Sequence, residues 1–175
     1  NSMNCLCEAL GIALPGNGTA LANSPERESL AREAGARVVS LVREGVHIRD
    51  IVTRNALDNA FALDMALGGS TNTILHGLAI AHEAGLDYPL ARLNLVAERT
   101  PHICKLSPAS EFRIDDLHRA GGVMAVLGEL LKLGGCLHGD CLTVTGTTLA
   151  QSVGSSAIRD FEVIRAIGEA YSPIG

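Results

Sequence analysis

ALGGSTNTILHGLAIAHEAG, residues Ala66 to Gly85, sets two apolar segments of helical spacing on either side of Gly68-Gly69-Ser70-Thr71-Asn72. A short turn between helices needs a glycine to end one and a single capping residue to start the next. Gly69 and Ser70 would meet that need, and the cap reading asks for nothing more. The stretch nonetheless supplies three polar residues in a row behind its glycines. Glycine lets backbone approach a ligand, and the first N–H groups of a helix are unpaired donors. Donors of that kind, joined by hydroxyl and amide side chains, suit a carboxylate or a hydroxyl-rich molecule. Both readings stand at this point, with Gly69, Ser70, Thr71 and Asn72 as the candidate binding residues.

Working outward, the spacing predicts a helix from about Thr71 to Ala84 that Gly85 stops in the left-handed conformation. The preceding helix starts near Thr53 and runs through Leu57, Ala60, Phe61 and Leu67 to the glycine pair. Ser24-Pro25-Glu26 is a strong helix start, combining a capping hydroxyl, a proline at the first position and an acid at the positive end of the dipole. The helix it opens is expected to bury Leu30, Ala34, Val38, Leu41 and Val42 and to end at Gly45. Ser2 to Leu14 reads as helix up to Pro15-Gly16, and Leu90 to Glu98 as a shorter one closed by Thr100-Pro101. Ile114 to Leu133 gives one or two helices broken at Gly121-Gly122, and Thr147 or Thr148 opens a last short one. Strands are expected at His102–Leu106, Cys141–Thr145 and Asp160–Arg165. The fold class is therefore α/β, the helix-rich part of a layered domain with a few short strands.

The chain has 175 residues, 47% of them apolar, enough for one domain with a core. A formal charge of −5, no basic run and few aromatic residues argue against nucleic acid as a partner. No apolar run approaches the length of a membrane span, and no leader pattern opens the chain. Five cysteines, an odd count, point to free thiols and a reducing compartment, which we read as the cytoplasm. Asn1 in place of an initiator methionine, and the closing Tyr171-Ser-Pro-Ile-Gly, read as a piece of a longer protein.

Three other groups could carry chemistry. Cys136, His138, Asp140 and Cys141 crowd metal-ligand types into six residues, with His102 and Cys104 available to complete a site, but the spacing matches no standard zinc knuckle. Buried cysteines acting as small hydrophobes explain the same residues. Asp115, Asp116, His118 and Arg119 could do acid–base work, with Asp116 orienting His118. The same residues are ordinary at a helix N-terminus, where acids suit the positive end and His118 and Arg119 are solvated one turn later. His76 lies about one turn beyond the glycine loop and could reach its mouth, whereas His82, six positions on, cannot share a metal with it.

Several of these segments resemble one family. Asn1-Ser-Met-Asn-Cys-Leu, then Glu8-Ala-Leu-Gly and Leu14-Pro-Gly-Asn-Gly-Thr, resemble the dihydroxy-acid dehydratases, whose superfamily includes phosphogluconate and other sugar-acid dehydratases. So do Ala66-Leu-Gly-Gly-Ser-Thr-Asn-Thr-Ile-Leu-His, Asp116-Leu-His-Arg-Ala-Gly-Gly-Val and Leu137-His-Gly-Asp-Cys-Leu-Thr-Val-Thr-Gly. The resemblance implies a hydro-lyase of branched-chain amino-acid biosynthesis, acting on a small 2,3-dihydroxy-3-methyl acid to give a 2-oxo acid. It implies an iron–sulfur cluster, a magnesium ion and a homo-oligomer, a dimer, for a protein several times longer. Residues 1–175 would be the later half of its N-terminal α/β domain. The family's cluster cysteines, magnesium ligands and catalytic serine match no position in this chain, and Cys5 falls where the family has a cysteine that is not a ligand. The resemblance thus implies a piece with no bound cofactor and no catalytic residue, inactive alone, whose Gly69–Asn72 loop contacts substrate. A sugar-acid dehydratase and a non-catalytic helical interaction module are the alternatives.

Overall fold

In the computed structural model, which describes Asn1–Gly175, just over half of the residues are helical. The order is α1 (Ser2–Ala9), α2 (Pro25–Glu44), α3 (Ile48–Ile51), α4 (Arg54–Leu67), α5 (Thr71–Glu83), α6 (Leu90–Arg99), α7 (Ile114–Arg119), α8 (Gly122–Leu131) and α9 (Leu149–Val153). No helix is long and apolar enough to cross a membrane.

The interior is built around α4. Only Arg54, Asn55 and Met65 of this helix escape burial, as expected of a helix apolar on nearly every side. Helices α1, α5, α6 and α8 all pack against it. The Thr53 hydroxyl accepts from Ala56 N at its start, and Gly68 closes it in the left-handed conformation. Helix α8 is buried almost throughout, with α7 and α9 beside it. Gly121 and Gly122, both at positive φ, make the break between α7 and α8, so the expected single or double helix is a pair.

The strands are the principal correction. Pairing is confined to three isolated antiparallel bridges, His102 with Ser172, Cys104 with Ile164, and Leu142 with Thr148. The 102–104 segment is extended and its Ile103 and Cys104 are fully buried, but its polar groups go to different partners. Ile103 N and Cys104 N both donate to Ala66 O at the end of α4, while His102 N donates to Ser172 O. Satisfying the backbone this way leaves no continuous ladder. Residues 141–145 bend instead: Val144 N donates to Gly11 O, and Gly146 N to Thr143 O. Residues 160–165 form a turn, closed by Ile164 N donating to Asp160 O.

Two helices also depart from expectation. α1 stops at Ala9, not near Leu14, because the chain turns at Gly11, with φ of 87°. α2 has the expected bounds, capped by Ser24 and Gly45, but none of its residues is buried. Val38, Val39 and Val42 are exposed, and no other helix packs closely on it. Its apolar stripe meets Ile12, Ala13, Leu14 and Val144 across an open groove.

Candidate substrate-binding site

The α4–α5 junction gives each of its residues a separate task. Gly68, at φ 60°, takes the left-handed position, and its N–H and that of Gly69 reach back to Met65 O and Asp64 O. A Cβ on Gly68 would stand 2.7 Å from His102 Nε2. Burial pushes the pKa of that imidazole down, and its Nε2 is buried without a partner. A Cβ on Gly69 would stand 1.9 Å from Asp64 Oδ1, so the missing side chain makes room for that carboxylate. Ser70 is the cap of α5, its hydroxyl accepting from Asn72 N at 3.3 Å.

That accounts for Gly68, Gly69 and Ser70 by structure alone. Thr71 and Asn72 are left over. Both are exposed in the first turn of α5, and neither side chain enters the hydrogen bonding that closes the turn. Their positions, with the unpaired Thr71 N–H and the positive dipole end of α5, suit an oxygen-rich ligand.

Beside the junction lies a cleft of about 530 Å³, whose wall includes Asn1, Ser2, Cys5, Gly69, Ser107 and Arg113. Gly68 and Gly69 put the glycine turn on this cleft, whereas Ser70, Thr71 and Asn72 do not line it. Arg113 carries no mark in the sequence that singles it out. Its backbone N–H donates to Asp116 Oδ2 at 2.7 Å, and its exposed guanidinium has no carboxylate partner. A cation without a counter-ion on a cleft was legible only as one arginine among several.

Asp64 is a second residue that sequence reasoning missed. It is 7% exposed, and burial lifts its pKa to about 6 while the Thr73 hydroxyl pulls it down. Thr73 Oγ1 lies near without the geometry of a hydrogen bond and is itself unpartnered. The signal was an acid inside Ala60-Phe-Ala-Leu-Asp64-Met-Ala-Leu, where no polar face exists for it.

The other candidates resolve structurally. His138 donates its backbone N–H to Asn59 Oδ1, and its carbonyl accepts from Asn59 Nδ2, with its ring 3.3 Å from Asp58. Cys136 is buried against Thr100. No three His, Cys, Asp or Glu side chains converge as a metal would require, so Cys136, His138, Asp140, Cys141, His102 and Cys104 do not form one site. Asp116 does not orient His118; it pairs with Arg119 and caps α7 through Arg113 N. His118 is instead held between Thr19 Oγ1 at 2.9 Å and Glu26 Oε2 at 3.0 Å, so it is not the solvated residue of the simpler reading. His76 faces a different hollow, with Met3, Arg49 and Val52, away from the glycine turn.

The iron–sulfur cluster and magnesium ion implied by the resemblance find no ligand set among these residues. All five cysteines are free thiols. Cys5 donates its S–H to Gly18 O, and burial pushes its pKa up to about 12. Burial pushes Cys104 up as well.

A family model described as dihydroxy-acid/6-phosphogluconate dehydratase N-terminal matches residues 1–152. That span takes in the glycine turn, the cleft beside it and every motif on which the resemblance rests, and so the chain belongs to the dihydroxy-acid/6-phosphogluconate dehydratase N-terminal family.

Proposed function

We propose that the chain is the substrate-binding part of a hydro-lyase that converts a 2,3-dihydroxy-3-methyl acid to a 2-oxo acid in branched-chain amino-acid biosynthesis. It is the later half of an N-terminal α/β domain in a longer, dimeric, cytoplasmic enzyme, and alone it is inactive. Any cluster and magnesium ion are held by residues outside 1–175.

One observation carries this reading: capping consumes Ser70, yet Thr71 and Asn72 stand free at the start of α5, beside a cleft with an unpaired arginine. A 2,3-dihydroxy acid brings one carboxylate and two hydroxyls. The carboxylate suits the Thr71 N–H, the Ser70 and Thr71 hydroxyls and the Arg113 guanidinium. Asn72 reaches a hydroxyl or orients the turn. These contacts hold the acid so that the C2 proton and the C3 hydroxyl, the two groups lost in dehydration, are presented in a fixed arrangement.

The same donor set accepts a sugar acid, which offers the same carboxylate and a longer row of hydroxyls. The Asn72-Thr73 pair and the Leu14-Pro-Gly-Asn-Gly-Thr19 run favour the branched-chain acid, because phosphogluconate-type relatives tend to carry histidine after the asparagine. Turnover of 2,3-dihydroxy-3-methylbutanoate against gluconate by the longer enzyme decides between them. Thr71→Val in that enzyme removes a hydrogen bond to a charged group, worth about 1.5–3 kcal/mol. Substrate affinity or turnover is then expected to fall about 10- to 150-fold. Ser70→Ala tests the cap, with a loss of about 1 kcal/mol in stability. If both variants melt early and turn over normally, the junction is only a cap and the proposal fails.

A further inference from the structure

The cleft beside the glycine turn has two chemistries in its wall, and the chain sets them side by side at three places. At each, an apolar residue is next in sequence to a polar feature, and both line the cleft. Leu67 ends α4 just before the Gly68-Gly69 turn, Leu106 precedes Ser107, and Ile114 follows Arg113 at the start of α7. Leu67 is 5% exposed. Leu106 and Ile114 are half-buried, each packed against the main core while lining the cleft. These three residues come from separate segments and meet in this wall. Arg113 is the one charged side chain among the lining residues, and no aspartate or glutamate lines the cleft. Ligand sites commonly have this make-up, with apolar walls and a few polar groups that fix orientation.

A polyol and a branched acid make different demands on such a wall. A hydroxyl turned toward Leu67, Leu106 or Ile114 gives up its hydrogen bonds to water and finds none in return. A methyl group in the same place leaves water and gains contact. In a 2,3-dihydroxy-3-methyl acid only C2 separates the branch carbon from the carboxylate carbon. An acid held by its carboxylate at Arg113 therefore carries its branch within reach of Ile114, the next residue. We infer that Leu67, Leu106 and Ile114 seat the alkyl branch of the substrate and set specificity, favouring a branched dihydroxy acid over one whose chain continues as hydroxyls. This rests on the substrate reading given above and adds to it the residues that choose between its two acids. The polar side of the cleft orients the acid, and the apolar side selects it.

The test compares kcat/KM of the longer enzyme for 2,3-dihydroxy-3-methylbutanoate and for glycerate, which keeps the carboxylate and both hydroxyls but has no methyl branch. The wild-type enzyme is expected to favour the branched acid about 10- to 200-fold, the worth of a small alkyl group in an apolar pocket. Valine and threonine have nearly one shape and differ by a hydroxyl, so Ile114 is replaced by each. Ile114→Val should lower kcat/KM for the branched acid about 2- to 12-fold, as the loss of one methyl group does. Ile114→Thr should lower it about 10-fold further, because its hydroxyl faces the branch. Glycerate should change less than about 2-fold in both. Leu106→Asn should act as Ile114→Thr does and also reduce the preference over gluconate, by at most about 100-fold. Ile114 is half-exposed at the first position of α7, so its variants decide the outcome if Leu106→Asn loosens the core. Equal losses for the branched acid and glycerate in Ile114→Thr overturn the inference. If the wild-type enzyme prefers the branched acid and no wall variant alters that preference, the substrate reading stands and the wall has no part in it. If the wild-type enzyme turns over gluconate and not the branched acid, the substrate reading fails and this inference falls with it.

Discussion

Helices α2 and α4 are both well signalled at their ends, and they have opposite fates. The Ser24 hydroxyl caps α2 and Gly45 stops it; the Thr53 hydroxyl caps α4 and Gly68 stops it. Yet α2 buries no residue and α4 buries nearly all of its own. Capping and chain-breaking act within a few residues, so they fix where a helix begins and ends. Burial depends on which other elements arrive, and nothing local encodes that. The exposed valines of α2 obey helical spacing as faithfully as the buried leucines of α4. What separates them is that α1, α5, α6 and α8 surround one helix and the other meets a single groove wall.

The acids of α4 sharpen the comparison, because a charge there has no surface to retreat to. Burial raises the pKa of Asp58, but Arg92, Tyr88 and Arg99 outweigh it and hold the group below its ordinary value. Asp58→Ala should therefore be the most damaging single change in either helix. Breaking a buried ion pair costs about 3–5 kcal/mol when the other charge is stranded. Arg92 and Arg99 are 30% and 33% exposed and can turn to water, so the lower end, about 3 kcal/mol, is expected in urea denaturation. Glu44→Ala on α2 breaks a solvent-screened pair with Arg37 and should change stability far less than Asp58→Ala does. Equal losses at the two sites would break the distinction between the helices.

The second prediction concerns pH. Asp64 and Glu8 have folded pKa values raised by burial, to about 6 and about 7. Glu8 is raised despite accepting from Gly16 N and Gly18 N. An acid raised in the folded state binds more protons there than in the unfolded chain between roughly pH 4 and the folded value. Its contribution is thus complete below about pH 4 and lost as pH rises through 6 to 7. Asp58 runs the other way: its contribution is present above about pH 4 and lost as pH falls through its depressed folded value. Stability should accordingly decline from about pH 4 to pH 7.5, with up to about 3 kcal/mol of the fall over that whole range traceable to Asp64. Asp64→Asn should flatten that slope; an unchanged slope would mean that Asp64 is solvated like an acid on α2.

The limits of α4 and α5, the stop at Gly85 and the Gly121-Gly122 break were legible in the sequence because glycine, proline and capping hydroxyls act locally. The strands were not. Ile103 and Cys104 have the composition of a strand, but Ala66 O takes both of their N–H groups, a tertiary choice that composition cannot register. The candidate site divides in the same way. Gly69, Ser70, Thr71 and Asn72 are contiguous and stood out together, whereas Asp64 comes from the preceding helix and Arg113 from a loop 41 residues past Asn72. Residues joined only by folding leave no pattern along the chain.

The smallest predicted effects test the comparison most cleanly, because one substitution is made on each side of it. Gly77 on α5 faces α4, and a Cβ there would stand 2.6 Å from Cε1 and Cζ of Phe61. Phe61 is fully buried, so its ring cannot swing clear, and Gly77→Ala should cost about 1–3 kcal/mol through overpacking. Gly35 lies within α2, and a Cβ there would meet nothing within 4 Å. With no clash to oppose it, the helix propensity of alanine decides the outcome, and Gly35→Ala should stabilise by about 0.5–1 kcal/mol. For a chain of this size that is a rise in melting temperature of about 1–4 °C. The two changes are chemically identical and both lie inside helices, so opposite signs in parallel thermal melts can come only from what surrounds them. If Gly35→Ala also destabilises, α2 is packed as tightly as α4, and the open groove beside it is filled in solution.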